Sequence, residues 1–191
     1  MLPTNKLNFD SSYEEEVYEW LQEASSIGLI KDVSYKPCTY SLYEKVEYEH
    51  LKIMKKKEDR IEHRVMLKPM TYTPDFSFFI RKDFLCSLKH LLLSSKGKHS
   101  SMLNDEWIKI IIDVKSFSGN RFNNNSSAVS FPIKQKVLFH NKGIFVNKLI
   151  PDTLFKATWG PDSVINKLNG KRRNSRRIKK MISFADFKQN N

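Results

Sequence analysis

Residues 107–115 read Trp-Ile-Lys-Ile-Ile-Ile-Asp-Val-Lys. Apart from Lys109 and Asp113, the run Trp107–Val114 is continuously apolar. Its length and β-branching point to a buried central strand rather than a helix. Alternate residues of a strand share a face, so Asp113 and Lys115 project together at its end. Thirty-eight positions upstream, Pro74-Asp75 lies inside a second expected strand, Thr71–Ile80, which is rich in aromatic and β-branched residues. If the two strands pair, Asp75 joins Asp113 and Lys115. Carboxylates are hard oxygen ligands that suit Mg²⁺, and a divalent ion turns water into a nucleophile near neutral pH. The set therefore suits metal-assisted hydrolysis.

Asp10-Ser11-Ser12 reads as a helix start, with Ser11 and Glu14 at capping-box spacing. Val17, Leu21 and Ala24 recur at helical spacing, and Gly28 marks the stop, so a helix is expected over Ser12–Ile27. Glu14 lies nearest the inner face, with Glu15 and Glu16 pointing outward. A β-rich region follows: Val33–Tyr35, Thr39–Leu42 and Tyr43–Glu49, then a charged hairpin tip at 51–60 and a return strand at 62–70. Phe84–Leu93 fits a short helix, 118–130 a loop, and Pro132 the first turn of a helix over 132–141. Ile144–Leu149 reads as another strand and 151–162 as a loop holding Phe155 and Trp159 as packing anchors. The expected class is α/β (α+β), a mixed central sheet flanked by helices.

Lys and Arg number 33 against 21 Asp and Glu, a net charge of +12. That balance favours an anionic partner, nucleic acid being the commonest. Residues 171–191 carry +7 of it and residues 1–170 only +5. Lys171, Arg172, Arg173, Arg176 and Arg177 form the densest part, suited to gripping phosphates without sequence preference. The alternative for this run is a solvated tail. With 40% hydrophobic residues the chain is not a disordered polyelectrolyte. Two cysteines, Cys38 and Cys86, supply neither a disulfide framework nor a four-cysteine zinc site, and both are expected to be small buried apolar residues. The five histidines show no zinc spacing. No signal peptide and no membrane-spanning run is read, so a cytoplasmic location is expected.

Pro74, Asp75, Asp113 and Lys115 resemble the PD-(D/E)XK nuclease superfamily. The likeness is greatest to small phage-encoded, Holliday-junction-resolvase-like endonucleases. It rests on Phe9-Asp10-Ser11 with Glu14, on Tyr72-Thr73-Pro74-Asp75-Phe76, and on Asp113-Val114-Lys115. Pro161-Asp162 and Asp186-Phe187-Lys188 fit the same formula, but no apolar strand leads into Asp186. The resemblance implies a restriction-endonuclease-like core in the order α-β-β-β-α-β within residues 1–165. Residues 82–106 form an extended connection and 166–191 a basic tail.

It further implies that Glu14, Asp75, Asp113 and the Val114 carbonyl serve Mg²⁺, with Mn²⁺ as a substitute. Lys115 positions the attacking water, and Lys134 contacts phosphate from the later helix. DNA is the implied partner, branched or recombination intermediates of a phage are the implied substrates, and a homodimer is the arrangement many such enzymes use. No further small-molecule cofactor is expected. The competing interpretations are an Asp113–Lys115 surface ion pair, and a non-catalytic nucleic-acid-binding or phage structural protein on the same scaffold.

Overall fold

In a computed structural model of the chain, residues 7–54, 58–88, 102–104, 106–115, 126–165 and 181–189 are described. The elements run α1 (Ser12–Ser26), β1 (Ile30–Tyr35), β2 (Tyr40–Tyr43), β3 (Val46–Lys52), β4 (Arg60–Leu67), β5 (Met70–Tyr72), β6 (Phe76–Arg81), α2 (Lys82–Ser87), β7 (Met102–Asn104), β8 (Trp107–Val114), α3 (Ser126–Lys142), β9 (Asn147–Leu149), α4 (Pro151–Ala157) and α5 (Phe184–Gln189). They divide into two compact units. One holds Met1–Pro37, Pro74–Asn124 and Phe145–Asn191; the other holds Cys38–Thr73 and Asn125–Ile144. No helix among the described residues is long and apolar enough to cross a membrane.

The first unit is a mixed α and β structure built on one mixed sheet. Its strand order is β1-β6-β8-β7, with β9 pairing the far end of β8. β8 is central, as its apolar run requires. β6 pairs it antiparallel on one edge, and β9 pairs it parallel on the other. Alternation then sorts the side chains: Phe76, Phe78 and Ile80 of β6 join Ile108, Ile110, Ile112 and Val114 of β8 in one core. α1 covers that core with Val17, Trp20, Leu21 and Ala24. The helix ends because Gly28 adopts φ +70, and its N–H donates to the Ser25 carbonyl at 3.0 Å while that of Leu29 donates to Ala24 at 3.0 Å. This is the paired closure that a left-handed residue permits.

The C-terminal part completes this core. Trp159 is fully buried and its ring lies 5.2 Å from Trp20, 6.2 Å from Phe84, 5.4 Å from Phe184 and 4.4 Å from Phe187. The indole N–H donates to Glu23 at 2.7 Å, and burial raises the carboxyl pKa of Glu23 despite that bond. A bridge between Gly160 and Ser183 fastens the segment before α5 beside the Trp159 loop.

The second unit contains two two-stranded sheets, β2 with β5 and β3 with β4, and helix α3. Among the described residues, Leu42, Tyr72, Phe131 and Leu138 are its buried apolar side chains, and Asn141 donates to the Leu42 carbonyl at 2.5 Å.

Several sequence expectations are corrected. The stretch Thr71–Ile80 is two strands, not one, and its halves enter different sheets. Pro74 lacks an N–H and cannot continue a ladder, so the chain turns at Pro74-Asp75 before β6. Residues 126–130 are helical rather than loop, and the helix runs on through 131, which puts Pro132 inside α3. Phe131 is buried beside it, and packing there overrides the proline's local cost. Residues 151–157 form a helix with proline at its first position, held by buried Leu154 and Phe155. The helix expected over Phe84–Leu93 is α2, Lys82–Ser87; residues 89–93 lie outside those described. Cys38 and Cys86 are exposed, not buried. Glu16 is buried, because the strongly apolar stripe of α1 sits directly beside it at Val17 and Trp20.

Candidate active site

The register of β6 on β8 decides the geometry. Phe76 is opposite Ile112, so the next residues outward, Asp75 and Asp113, stand opposite one another. The Asp75 N–H donates to the Ile112 carbonyl at 3.1 Å, and the Asp75 carbonyl accepts from the Lys36 N–H at 2.7 Å. The Asp75 carboxylate accepts from the Val114 N–H at 2.6 Å. Three bonds thus fix this residue from both neighbouring strands. Asp113 is 3% exposed, and its Oδ1 accepts from Lys115 Nζ at 2.8 Å.

The two carboxyl groups are hydrogen-bonded to each other. Burial, then the Asp113 contact, pushes the Asp75 pKa up to about 8, with Glu14 adding to the rise and the Val114 N–H opposing it. Adjacent buried carboxylates resist ionising together, and here the Lys115 ammonium sits on Asp113, leaving the strain on Asp75. Burial and the neighbouring carboxylate therefore favour the protonated form of Asp75 at neutral pH.

Glu14 reaches the same region from the first turn of α1. Its N–H donates to Ser11 Oγ at 3.2 Å and Ser11 Oγ donates back to Oε1 at 2.9 Å. The other oxygen accepts from Tyr35 Oη at 2.8 Å and from the Asp10 N–H at 3.3 Å. The capping box thus doubles as a mount for the carboxylate. Tyr35 is packed between Phe9 and Phe76 at ring distances of 5.0 and 5.2 Å, which fixes its hydroxyl. Burial and the Glu14 contact raise the Tyr35 pKa, so it stays a donor.

The structure gathers Glu14, Asp75, Asp113, Val114 and Lys115 in the first unit. Lys134 belongs to the second, on α3, with Nζ 5.8 Å from the Tyr72 ring centre. Lys171, Arg172, Arg173, Arg176 and Arg177 lie outside the described residues. Among the described residues no group of three His, Cys, Asp or Glu side chains is arranged to hold a metal ion. The donors that do converge are the two aspartates. Two carboxylates fit an ion such as Mg²⁺, which retains several waters and takes few protein ligands.

Three residues escaped the sequence reading. Tyr35 orients Glu14; Lys36 holds the Asp75 backbone and bonds Asp10 at 2.7 Å; Lys148, exposed on β9, is the register partner of Asp113. Alternation along β1 was the signal available for Tyr35. The other two depend on strand pairing, which a local pattern does not carry. Comparison of the chain with protein-family models, curated proteins and solved structures finds no match.

Proposed function

We propose that the chain is a metal-dependent endodeoxyribonuclease with a PD-(D/E)XK-like site. The observation that carries the proposal is the facing pair Asp75 and Asp113, held together against their mutual repulsion with Lys115 2.8 Å from Asp113. The order of elements along the chain also supports it. Helix α1 and strands β1, β6 and β8 precede α3 and β9, which matches α-β-β-β-α-β once β2–β5 and α2–β7 are taken as additions.

Asp75 and Asp113, with the Val114 carbonyl, are the residues that hold the ion, Mg²⁺ or Mn²⁺. When bound, the ion supplies a water nucleophile near neutral pH and positive charge beside the phosphoryl oxygens. Asp75 enters the site already oriented by the Val114 amide. Lys115, tied to Asp113, orients the attacking water or neutralises charge on the scissile phosphate. Glu14, braced by Tyr35 and Ser11, holds a water at the rim. Branched DNA of a phage remains the proposed substrate, and a homodimer supplies the two sites that two strands require.

Cleavage of linear duplex, single-stranded and four-way DNA in Mg²⁺, against chelator, tests this. Metal-dependent cleavage of at least one substrate is expected. Binding without cleavage of any of them sinks the hydrolytic assignment and leaves a nucleic-acid-binding protein.

The carboxylate pair also sets a pH dependence. The folded pKa of Asp75 lies above its unfolded value, so its contribution to stability is complete below about pH 4 and is lost as pH rises through about 8. A divalent cation replaces the proton, so its stabilising effect must grow over the same interval. The melting temperature gained from millimolar Mg²⁺ should increase by about 3 °C or more between roughly pH 6 and pH 9, the shift that ~1 kcal/mol gives a chain of this size. The Asp75→Asn variant should show no such increase. A gain independent of pH in the unmodified chain would contradict ion binding at this pair.

A further inference from the structure

The hairpin β3–β4 is a two-stranded ribbon, and among the described residues neither of its edges pairs with a further strand. Within β4 every residue but Glu62 is exposed. Two strands alone make a marginal sheet, whereas three or more with an apolar face can stand by themselves. An open edge is also a template for pairing with another chain. Alternation gives β4 two different faces. Ile61 and Val65, 62% and 46% exposed, share one of them with His63, and Leu51 of β3 stands opposite Ile61. Arg60, Glu62 and Arg64 share the other. Oε1 of Glu62 meets Arg60 at 2.6 Å and Lys52 at 3.2 Å, whereas Oε2 meets Arg64 at 3.6 Å, long for a charge-assisted bond. Arg64 keeps 45% of its side chain in solvent.

We infer that the outer edge of β4 pairs antiparallel with β4 of a second copy of this chain, about a two-fold axis that passes between the two copies of His63. The axis stands perpendicular to the sheet, so each face of one copy continues into the same face of the other. Ile61 then faces Val65 of the partner subunit, and Glu62 faces Arg64 of the partner subunit. Aliphatic meets aliphatic, and each Glu62 receives a second guanidinium on the side of Oε2. Facing pairs of this kind are what stabilise one strand on the next. Other registers lose the match. An axis at Glu62 or at Arg64 sets like charges face to face. One at Ile61 joins Arg60 to Glu62 but keeps only 60–62 of β4 in the ladder, and one at Val65 joins no opposite charges within the strand. β3 offers no equivalent, because Lys52 lies on the face opposite Glu47 and Glu49. The product is a four-stranded sheet with Leu51, Ile61 and the partner's Val65 in one apolar row. The ladder is short against the roughly 800 Å² per partner of a standard interface, so the dimer is reversible and forms at micromolar concentrations or above. The inference goes beyond the nuclease reading and does not depend on it, although it gives the homodimer proposed there a contact.

Sedimentation equilibrium of the full chain, free of DNA and metal, is the test. The mass should rise with concentration from 22.5 kDa toward twice that value. Glu62→Lys and Arg64→Glu each turn two facing pairs per dimer from attractive to repulsive, so each should weaken self-association about tenfold or more. An equimolar mixture of the two variants should recover the dimer, because each supplies the sign that the other lacks, and recovery excludes misfolding as the cause. Cross-linking reads the register. In a Cys38→Ser/Cys86→Ser background, His63→Cys should be oxidised by air to a disulfide-linked dimer. Glu49→Cys, about 14 Å from its own copy across three strand spacings, should stay monomeric. A monomer mass in the unmodified chain up to about 100 μM overturns the inference. So does a mixture that stays monomeric while both variants keep the unmodified circular dichroism, or cross-linking of Glu49→Cys as readily as of His63→Cys. DNA cleavage by a chain that remains monomeric refutes only the strand pairing. A dimer of this register that never cuts refutes only the nuclease.

Discussion

Asp113→Asn is expected to lower Mg²⁺-dependent cleavage by roughly 10²–10³-fold or more, the scale of losing one preorganised electrostatic contact to a transition state. The same variant should melt at the same or a higher temperature when free of metal. Asp113 is 3% exposed and hydrogen-bonded to Asp75, whose pKa it helps to raise. An amide at that position keeps the shape and removes the repulsion. Opposite movements of activity and stability are the signature of a charge pair kept for function at a cost to the fold. A structural ion pair with Lys115 predicts the reverse, since breaking it should destabilise without touching turnover. Lys115→Ala provides the complement. Its removal leaves the Asp113 carboxylate, whose side chain is 5% exposed, without its cation, so the melting temperature should fall; assayed well below that temperature, loss of turnover should fall mainly on kcat. Cleavage by both variants at the unmodified rate would remove the site from consideration.

Trp159→Ala should give the largest loss of stability of any single change described, about 4 kcal/mol, within the range for truncating a buried aromatic. For a chain of this length that corresponds to roughly 8–16 °C in melting temperature. The ring is fully buried against four aromatic partners from α1, α2 and α5. Its removal also takes away the donor that meets the Glu23 carboxylate, which burial already disfavours. Differential scanning calorimetry reads the effect. A drop under about 2 °C would show that the cluster repacks.

How far the sequence led depends on which forces were local. β8 was legible because eight residues carry their own burial pattern, and Ser11 with Glu14 was legible because a cap is a three-residue geometry. Asp75, Asp113 and Lys115 were found together because strand alternation and one pairing assumption suffice to join them. What was missed needed partners distant in sequence. The break at Pro74 was hidden by the flanking aromatics, which favour strand on either side of it. The prolines of 151–162 suggested a loop, although Pro151 opens a helix whose reason for forming is the burial of Leu154 and Phe155. Glu16 looked solvated because glutamate usually is; its burial comes from its neighbours. The division of β2–β5 from the larger sheet has no signal in alternation, which reports faces but not partners.

The bridge at Gly160 and Ser183 ties α5 to the Trp159 segment. The Gly160 N–H donates to the Ile182 carbonyl at 2.9 Å, and Phe184 and Phe187 pack on Trp159 just beyond. α5 is thus a working part of the first unit's core rather than an appendage to it. A truncation that removes Phe184 and Phe187 uncovers the Trp159 ring, and the indole emission should move to the red while the melting temperature falls.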